Sequence, residues 1–159
     1  MNPLPPPDPR NVPSCLVMPG TMAHNVPMRS RHFTPALANK SLPLVRKIVA
    51  DILETGKALK SLSLQENSEA REQGLEEAQD RLAQLFHELA QIGCSFRDWN
   101  FEIGLVDFPA IIEGQEVLLC WRSDEDSVAW YHGLHEGYAG RKPIPDALLP
   151  DEDEERVCT

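Results

Sequence analysis

The residues best suited to chemistry lie between Gly104 and Pro143. This stretch reads GLVDFPAIIEGQEVLLCWRSDEDSVAWYHGLHEGYAGRKP, in which ionisable side chains interrupt apolar, β-forming segments. Three of them stand out, Asp107, Cys120 and His132, because each lies within or beside an apolar run. Burying such groups is costly unless they find partners, so a functional site is expected in this part of the chain.

These three residues form the first candidate site, a metal site. Cys120 shares a strand face with Leu118, and His132 is in register with Trp130. If the strands that carry them are neighbours, the three side chains converge. A carboxylate, a thiolate and an imidazole are donors for a transition-metal ion, and a thiolate–imidazole pair is a nucleophile. In the alternative interpretation, which stays open here, Cys120 and His132 are ordinary packing residues.

A second candidate, a ligand-binding site, comprises Asp107, Trp121, His132 and Arg141. Phe108 precedes a proline and is therefore held extended, which sets the angle of the neighbouring Asp107 carboxylate. Arg141 is a natural counter-charge, and a buried Asp107–Arg141 pair would close the GYAGR loop over the sheet. Alternatively, Arg141 binds an anion while Asp107 and His132 transfer protons.

Two short motifs in this stretch do not fit the sites that they suggest. HGLHE at 132–136 lacks the HExxH order of a zincin helix, and its glycines disfavour a helix. GYAGR at 137–141 lacks the preceding strand and the spacing of a phosphate-binding loop. Neither a zincin protease nor a P-loop nucleotide site is therefore expected.

The composition limits the class of protein. With a formal charge of −10 over 159 residues, the chain lacks the basic footprint of a nucleic-acid binder and is unsuited to an anionic membrane surface. Four cysteines without metal-finger spacing indicate a reduced, cytoplasmic protein, and no apolar run is long enough to span a membrane. One domain at 28–146 is expected, between disordered tails at 1–27 and 147–159.

Apolar residues at 3–4 spacing predict helices before Gly93. Thr34-Pro35 is typical of a helix start, and a short helix at 36–40 is predicted to end before a restart at Ser41. A second long helix is predicted from Glu69 to Ile92, ended by the glycine. The two long helices should form an antiparallel hairpin. Its seam is expected to bury Leu44, Ile48, Ile52, Leu75, Leu82, Leu85 and Leu89.

After Gly93 the apolar period shortens to two, which predicts strands. The Glu113-Gly114 turn joins the first two, and Pro109 must lie at an edge or bulge because it cannot donate to a central ladder. The expected fold is α+β, an antiparallel helical hairpin packed with a small antiparallel three-stranded β-meander. The first predicted strand begins with the alternation at Phe101, Ile103 and Leu105 and ends with Ile111 and Ile112, and the other two cover 117–121 and 128–132.

Three blocks together resemble the bacterial domain-of-unknown-function 2203 family: FTPALANKSLPLVRKIVADI at 33–52, GLVDFPAIIEGQEVLLCW at 104–121 and YHGLHEGYAGRKP at 131–143. The resemblance implies a helical hairpin followed by a small β-unit. The family has no established reaction, although some members bear a division-initiation label. Because an acidic residue often stands in the family at the position of His135, His132 is the better candidate for shared chemistry.

Two classes of function follow from these observations. The first is a self-associating interaction or structural protein, a homo-oligomer joined through the helical hairpin, and the absence of a full catalytic constellation favours it. The second is a small ligand- or metal-binding enzyme that works with Asp107, His132 and Arg141, with a transition metal as the candidate cofactor. Whether the protein is an enzyme stays open at this stage.

Overall fold

The computed structural model describes residues 32–150, which form two helices and a sheet. The expected domain boundary at 146 falls inside this region, since Asp146–Leu148 is a 3-10 helix and Leu149 packs against the core. The expectations for 1–27 and 151–159 lie outside the described residues. The elements are α1 (Pro35–Ser63), α2 (Glu69–Ile92), β1 (Ser95–Phe96), β2 (Leu105–Ile112), β3 (Gln115–Arg122), β4 (Trp130–Gly133) and β5 (Lys142–Pro143).

Helix α1 begins as predicted but does not break at Ser41. Thr34 caps it by accepting a hydrogen bond from the Leu37 N–H, and Pro35 occupies the first turn. The helix then continues through Pro43, so the predicted short helix and restart are wrong. Proline removes only one backbone donor, and the apolar stripe on either side of it stays buried against the rest of the domain.

Helix α2 confirms the predicted bounds. Ser68 caps its start by accepting a bond from the Arg71 N–H, and Gly93 ends it at a φ of 108°, the left-handed conformation that suits glycine. Arg71 also fastens the hairpin, because its side chain donates to the carbonyls of Leu62 and Ser63 at the end of α1. The two helices therefore form the predicted hairpin.

The sheet has five antiparallel strands in sequential order rather than the three predicted. The two extra strands, β1 and β5, contain two residues each, too few for an alternating pattern to show. Glu113 and Gly114 form the β2–β3 turn with positive φ angles of 52° and 79°, as the turn requires. Strand β1 pairs only with Val106 and Asp107, so it does not reach Pro109 farther along the same edge of β2. The Pro109 carbonyl accepts a hydrogen bond from the Phe33 N–H at this edge, and the edge prediction is confirmed.

The hydrophobic core joins both helices to one face of the sheet. Alternate residues of β2 and β3 face it, and Trp121, at 1% exposure, is among the most buried. Of the predicted hairpin seam, Leu75 is only half-buried, whereas the residues that are buried are Ile48, Ile52, Leu82, Leu85 and Leu89. Leu44 is 55% exposed, so its predicted burial within the chain is wrong. Neither described helix has the length and apolarity that a membrane crossing requires.

A glycine in α1 allows the loop before β2 to pack closely on the helix. A Cβ added at Gly56 would lie 2.2 Å from Cγ of Phe101, which is itself held at a φ of 57°. Gly56→Ala is therefore expected to destabilise the protein by about 1–3 kcal/mol through overpacking, despite the higher helix propensity of alanine.

Gly74 in α2 provides the matched control for this prediction. Its added Cβ would meet only the flexible Leu62 methyls, at 3.1 Å and 3.2 Å. Gly74→Ala should therefore be neutral or stabilising, by up to about 1 kcal/mol. Urea unfolding measures both changes, and equal effects of the two substitutions would contradict the close packing at Gly56.

Candidate functional site

The face of the sheet opposite the core brings Asp107, Cys120 and His132 together. Asp107 on β2 is directly opposite Cys120 on β3, and His132 on β4 is opposite Leu118, two residues along β3 on the same face. The predicted convergence of these three side chains is therefore confirmed. Cys120 is buried but is not part of the hydrophobic core cluster, in keeping with this placement.

The three side chains form a compact, water-excluded cluster, here called the Asp–Cys–His cluster. One potential ligand atom from each residue lies within 4.8 Å of the other two. Asp107, Cys120 and His132 are 4%, 2% and 3% exposed. Because ionisable groups are costly to bury without partners, the hydrogen bonds within this cluster decide its chemistry.

The hydrogen bonds of His132 define which ring nitrogen carries a proton. Nδ1 lies 2.7 Å from the carbonyl oxygen of Gly133, which can only accept, so Nδ1 is the donor. Nε2 lies 3.2 Å from Oδ1 of Asp107. In neutral imidazole the lone pair of Nε2 would then face a carboxylate oxygen. A proton between Nε2 and Oδ1, or a bound cation, makes this contact favourable.

The Asp107 carboxylate pairs with Arg97 and not with Arg141. Nε of Arg97 lies 3.2 Å from Oδ2 of Asp107, on the side away from His132. Arg97 follows β1 and shares a face with Ser95, which is the cross-strand partner of Asp107. The expected Asp107–Arg141 ion pair is therefore wrong, while the expected approach of His132 to Asp107 is confirmed.

Arg141 lies beside the backbone of Cys120, and its side chain contacts other residues of the domain. Its Nη2 is 2.7 Å from the Glu125 carboxylate and donates to the Cys120 carbonyl at 3.0 Å. The guanidinium also lies 5.2 Å from the centre of the Trp130 ring and 5.0 Å from that of Tyr138. These contacts hold the loop after β4 against the end of β3, so Arg141 closes the GYAGR loop as expected but through a different acid.

Trp121 lies apart from the Asp–Cys–His cluster. It follows Cys120 directly and therefore points to the opposite face of β3, into the core. Its indole N–H donates to the Glu125 carbonyl, and the Arg46 guanidinium lies 5.2 Å from the ring centre. Trp121 thus has a packing position, and the structure does not place it with the other predicted ligand-binding residues.

As long as no cation is bound, the surroundings of Cys120 disfavour a nucleophilic thiolate. Burial, with the nearby Asp107 carboxylate, raises the pKa of this thiol from 9.0 to about 12. The thiol is therefore protonated near neutral pH, whereas reactive cysteines have a lowered pKa. A metal ion reverses this balance, because a coordinating thiol loses its proton.

Cys94, which precedes β1, offers a test of the same burial effect outside the cluster. Burial raises its pKa from 9.0 to about 12. Because the folded state keeps this proton after the unfolded state has lost it, Cys94 stabilises the fold below pH 9. That contribution is lost between pH 9 and about 12.

We expect the free energy of unfolding of the wild type to fall relative to Cys94→Ala by about 1.4 kcal/mol per pH unit above 9. Urea titrations of both proteins at several alkaline pH values measure the difference. Parallel pH profiles would show that Cys94 ionises equally in the folded and unfolded states.

Sequence reasoning missed two charged residues near the cluster, Arg97 and Glu125. Arg97 is two residues after Ser95 with the buried Phe96 between them, so a period of two was present but too short to identify a strand. Glu125 stands in the acidic turn after β3, where three neighbouring acids compete as partners for Arg141. The sequence pattern around this turn does not show which of the three acids pairs with Arg141.

A second surface feature lies between the first half of α1 and the end of α2. This hairpin groove encloses about 1050 Å³. Leu37 and Leu44 project into it while remaining 51% and 55% exposed. Its lining residues are His32, Phe33, Leu37, Lys40, Ser41, Leu44, Ile48, Glu88, Gln91 and Ile92.

Fold and site together define an α+β protein whose sheet buries an Asp–Cys–His cluster on the face opposite its helical hairpin. Residues 31–144 match the model of the uncharacterized conserved protein family DUF2203, and the chain belongs to that family. The resemblance seen in the three sequence blocks is thereby confirmed. No curated protein and no solved structure gives a significant match.

Proposed function

We propose that this protein binds a transition-metal ion through Asp107, Cys120 and His132. The observation that carries the proposal is the orientation of His132. Its Nδ1–H donates to a backbone carbonyl, while Nε2 faces the Asp107 carboxylate, and the Cys120 thiol belongs to the same cluster. Metal-binding histidines commonly donate their second ring nitrogen to a carbonyl or carboxylate in this way.

The donor set favours a metal of intermediate softness. One thiolate, one imidazole and one carboxylate are all ligands of Zn²⁺, and thiolate disfavours Mg²⁺ and Ca²⁺. Zinc–ligand bonds of about 2.0–2.3 Å place tetrahedral donors roughly 3.3–3.8 Å apart. The upper limit of 4.8 Å in the cluster is about 1 Å longer, which small side-chain rotations can close. Three protein ligands leave the fourth position for water or another ligand.

The charges around the cluster also suit a divalent cation. A thiolate at Cys120 and the carboxylate of Asp107 together balance a charge of +2. Arg97 binds the carboxylate oxygen that faces away from His132, so it fixes the carboxylate without occupying the metal position. An outer partner of this kind orients a ligand and typically changes metal affinity about 10–100-fold when it is removed.

The competing explanation is an imidazolium–aspartate pair, in which a second ring proton on His132 occupies the contact with Asp107. That pair would satisfy both residues without a metal and would leave Cys120 as a buried thiol. The two explanations differ in stoichiometry, because only the metal site takes up one ion per chain.

The test uses the full chain purified without a polyhistidine tag, stripped with a chelator and then titrated with Zn²⁺ or Co²⁺. We expect one ion per chain, a thiolate-to-cobalt charge-transfer band and a rise in melting temperature with metal concentration. Absence of stoichiometric binding, with both ring nitrogens of His132 protonated by NMR, would establish the imidazolium–aspartate pair and end the proposal.

The hairpin groove supports a second function, self-association. Leu37 and Leu44 are large apolar side chains left half exposed in the groove, and neighbouring exposed apolar side chains mark interaction sites. Light scattering on the full chain at tens of micromolar tests it, with an oligomer as the expected result. A strict monomer would end this second proposal without affecting the first.

A further inference from the structure

We infer that the hairpin groove is a two-fold interface between two copies of this chain, an inference that rests on the proposed self-association. Leu37 and Leu44 lie seven residues apart on α1, two helical turns, and both line the groove. They are 51% and 55% exposed. A surface that carries both a depression and projecting leucines can be complementary to itself.

The charges of the two helices identify a second copy as the occupant. The first half of α1, residues 35–50, carries the exposed Lys40 and Lys47 and has no acidic residue, while its third basic residue, Arg46, packs on Trp121. Helix α2 carries six acidic and two basic residues. Two chains that each have a formal charge of −10 repel one another over most of their surfaces. The basic half of α1 is where they can approach, provided that it lies against α2 of the other copy.

Two-fold symmetry supplies that arrangement. In an interface of this type residue i contacts residue j and residue j contacts residue i, so α1 of each copy lies along α2 of the other. The four helices then form an antiparallel bundle. Lys40 and Glu88 line the groove, and neither forms an ion pair with another residue in the range 32–150. The symmetry would pair Lys40 with the partner subunit's Glu88 twice.

Leu44→Glu tests the apolar part of this interface in the full chain. Sedimentation equilibrium should show a wild-type dimer at tens of micromolar. The variant should dissociate with a Kd raised by more than about 100-fold, since each substitution occurs twice in the dimer. Leu64→Glu is the matched control, because Leu64 is 88% exposed after α1 and does not line the groove. Circular dichroism checks that both variants are folded.

A charge exchange tests the orientation. Lys40→Glu and Glu88→Lys should each raise the Kd about tenfold, and the double variant should return to within about threefold of the wild type. This restoration is expected only if the two residues face each other across the interface.

The outcomes separate this interface from self-association in general. If the wild type is monomeric, both the proposed self-association and the groove interface are wrong. If the wild type is a dimer that Leu44→Glu leaves unchanged, only the groove interface is wrong. If the dimer of the double charge variant has a Kd no lower than that of the single variants, the two-fold pairing of Lys40 with Glu88 is wrong. Zinc binding by Leu44→Glu should equal that of the wild type, because the Asp–Cys–His cluster lies on the other face of the sheet.

Discussion

Replacing His132 by Gln is expected to weaken zinc binding by more than about 100-fold, beyond the usual effect of losing an outer partner. The imidazole supplies one of only three protein ligands, and glutamine cannot present a ring nitrogen to the metal. Calorimetric titration of Zn²⁺ into the stripped full chain measures the loss. Cys120→Ser should give a similar loss and remove the cobalt charge-transfer band, because the hydroxyl is a poor substitute for a thiolate.

Matched controls separate ligation from general damage to the protein. His87→Gln alters an exposed imidazole on α2 and should leave zinc affinity unchanged. Arg97→Gln leaves all three ligands but frees one oxygen of Asp107, so it should weaken binding about 10–100-fold. Zinc binding by His132→Gln at wild-type affinity would show that the ion binds elsewhere.

Replacing Arg141 by Ala is expected to destabilise the fold by about 2–4 kcal/mol, slightly less than breaking a fully buried ion pair, because both side chains keep some exposure. The guanidinium is 11% exposed, and its removal leaves Glu125, at 18% exposure, without its nearest cation. Contacts with the Trp130 and Tyr138 rings are also lost. Urea denaturation provides the free energy of unfolding.

Arg97→Ala measures what the second arginine, the partner of Asp107, contributes to stability. Its own side chain is 53% exposed, but its removal leaves the Asp107 carboxylate, at 6% exposure, with His132 as its remaining partner, so the loss should be about 1–3 kcal/mol. In the double variant Glu125→Gln, Arg141→Met, both charges are absent, and part of the stability lost in Arg141→Ala should return. If the double variant recovered none of the stability lost in Arg141→Ala, the assignment of a structural ion pair to Arg141 and Glu125 would be wrong.

Local sequence signals were sufficient for the hairpin and for the composition of the Asp–Cys–His cluster. The bounds of α2 follow from a 3–4 apolar period and a glycine that adopts a left-handed conformation at its end, and both signals act within a few residues. The meeting of Asp107, Cys120 and His132 follows from strand alternation and short connections, which place nearby strands side by side. The α+β class was predictable for the same reason.

Only the tertiary structure decided the features that depend on distant neighbours. Helix α1 continues through Pro43 because its apolar stripe is buried on both sides of the proline, a gain that local propensity omits. The two-residue strands β1 and β5 are defined by the strands beside them.

Ion pairing shows the same division between local and tertiary information. The sequence by itself determined that Asp107 needed a cationic partner, since a buried carboxylate is costly alone. Which arginine serves depends on the direction of each side chain from its strand. Arg97 follows the strand that pairs with β2, whereas Arg141 returns over β3 to Glu125. Charge attraction selects the nearest correctly oriented group, and only the folded chain fixes that distance.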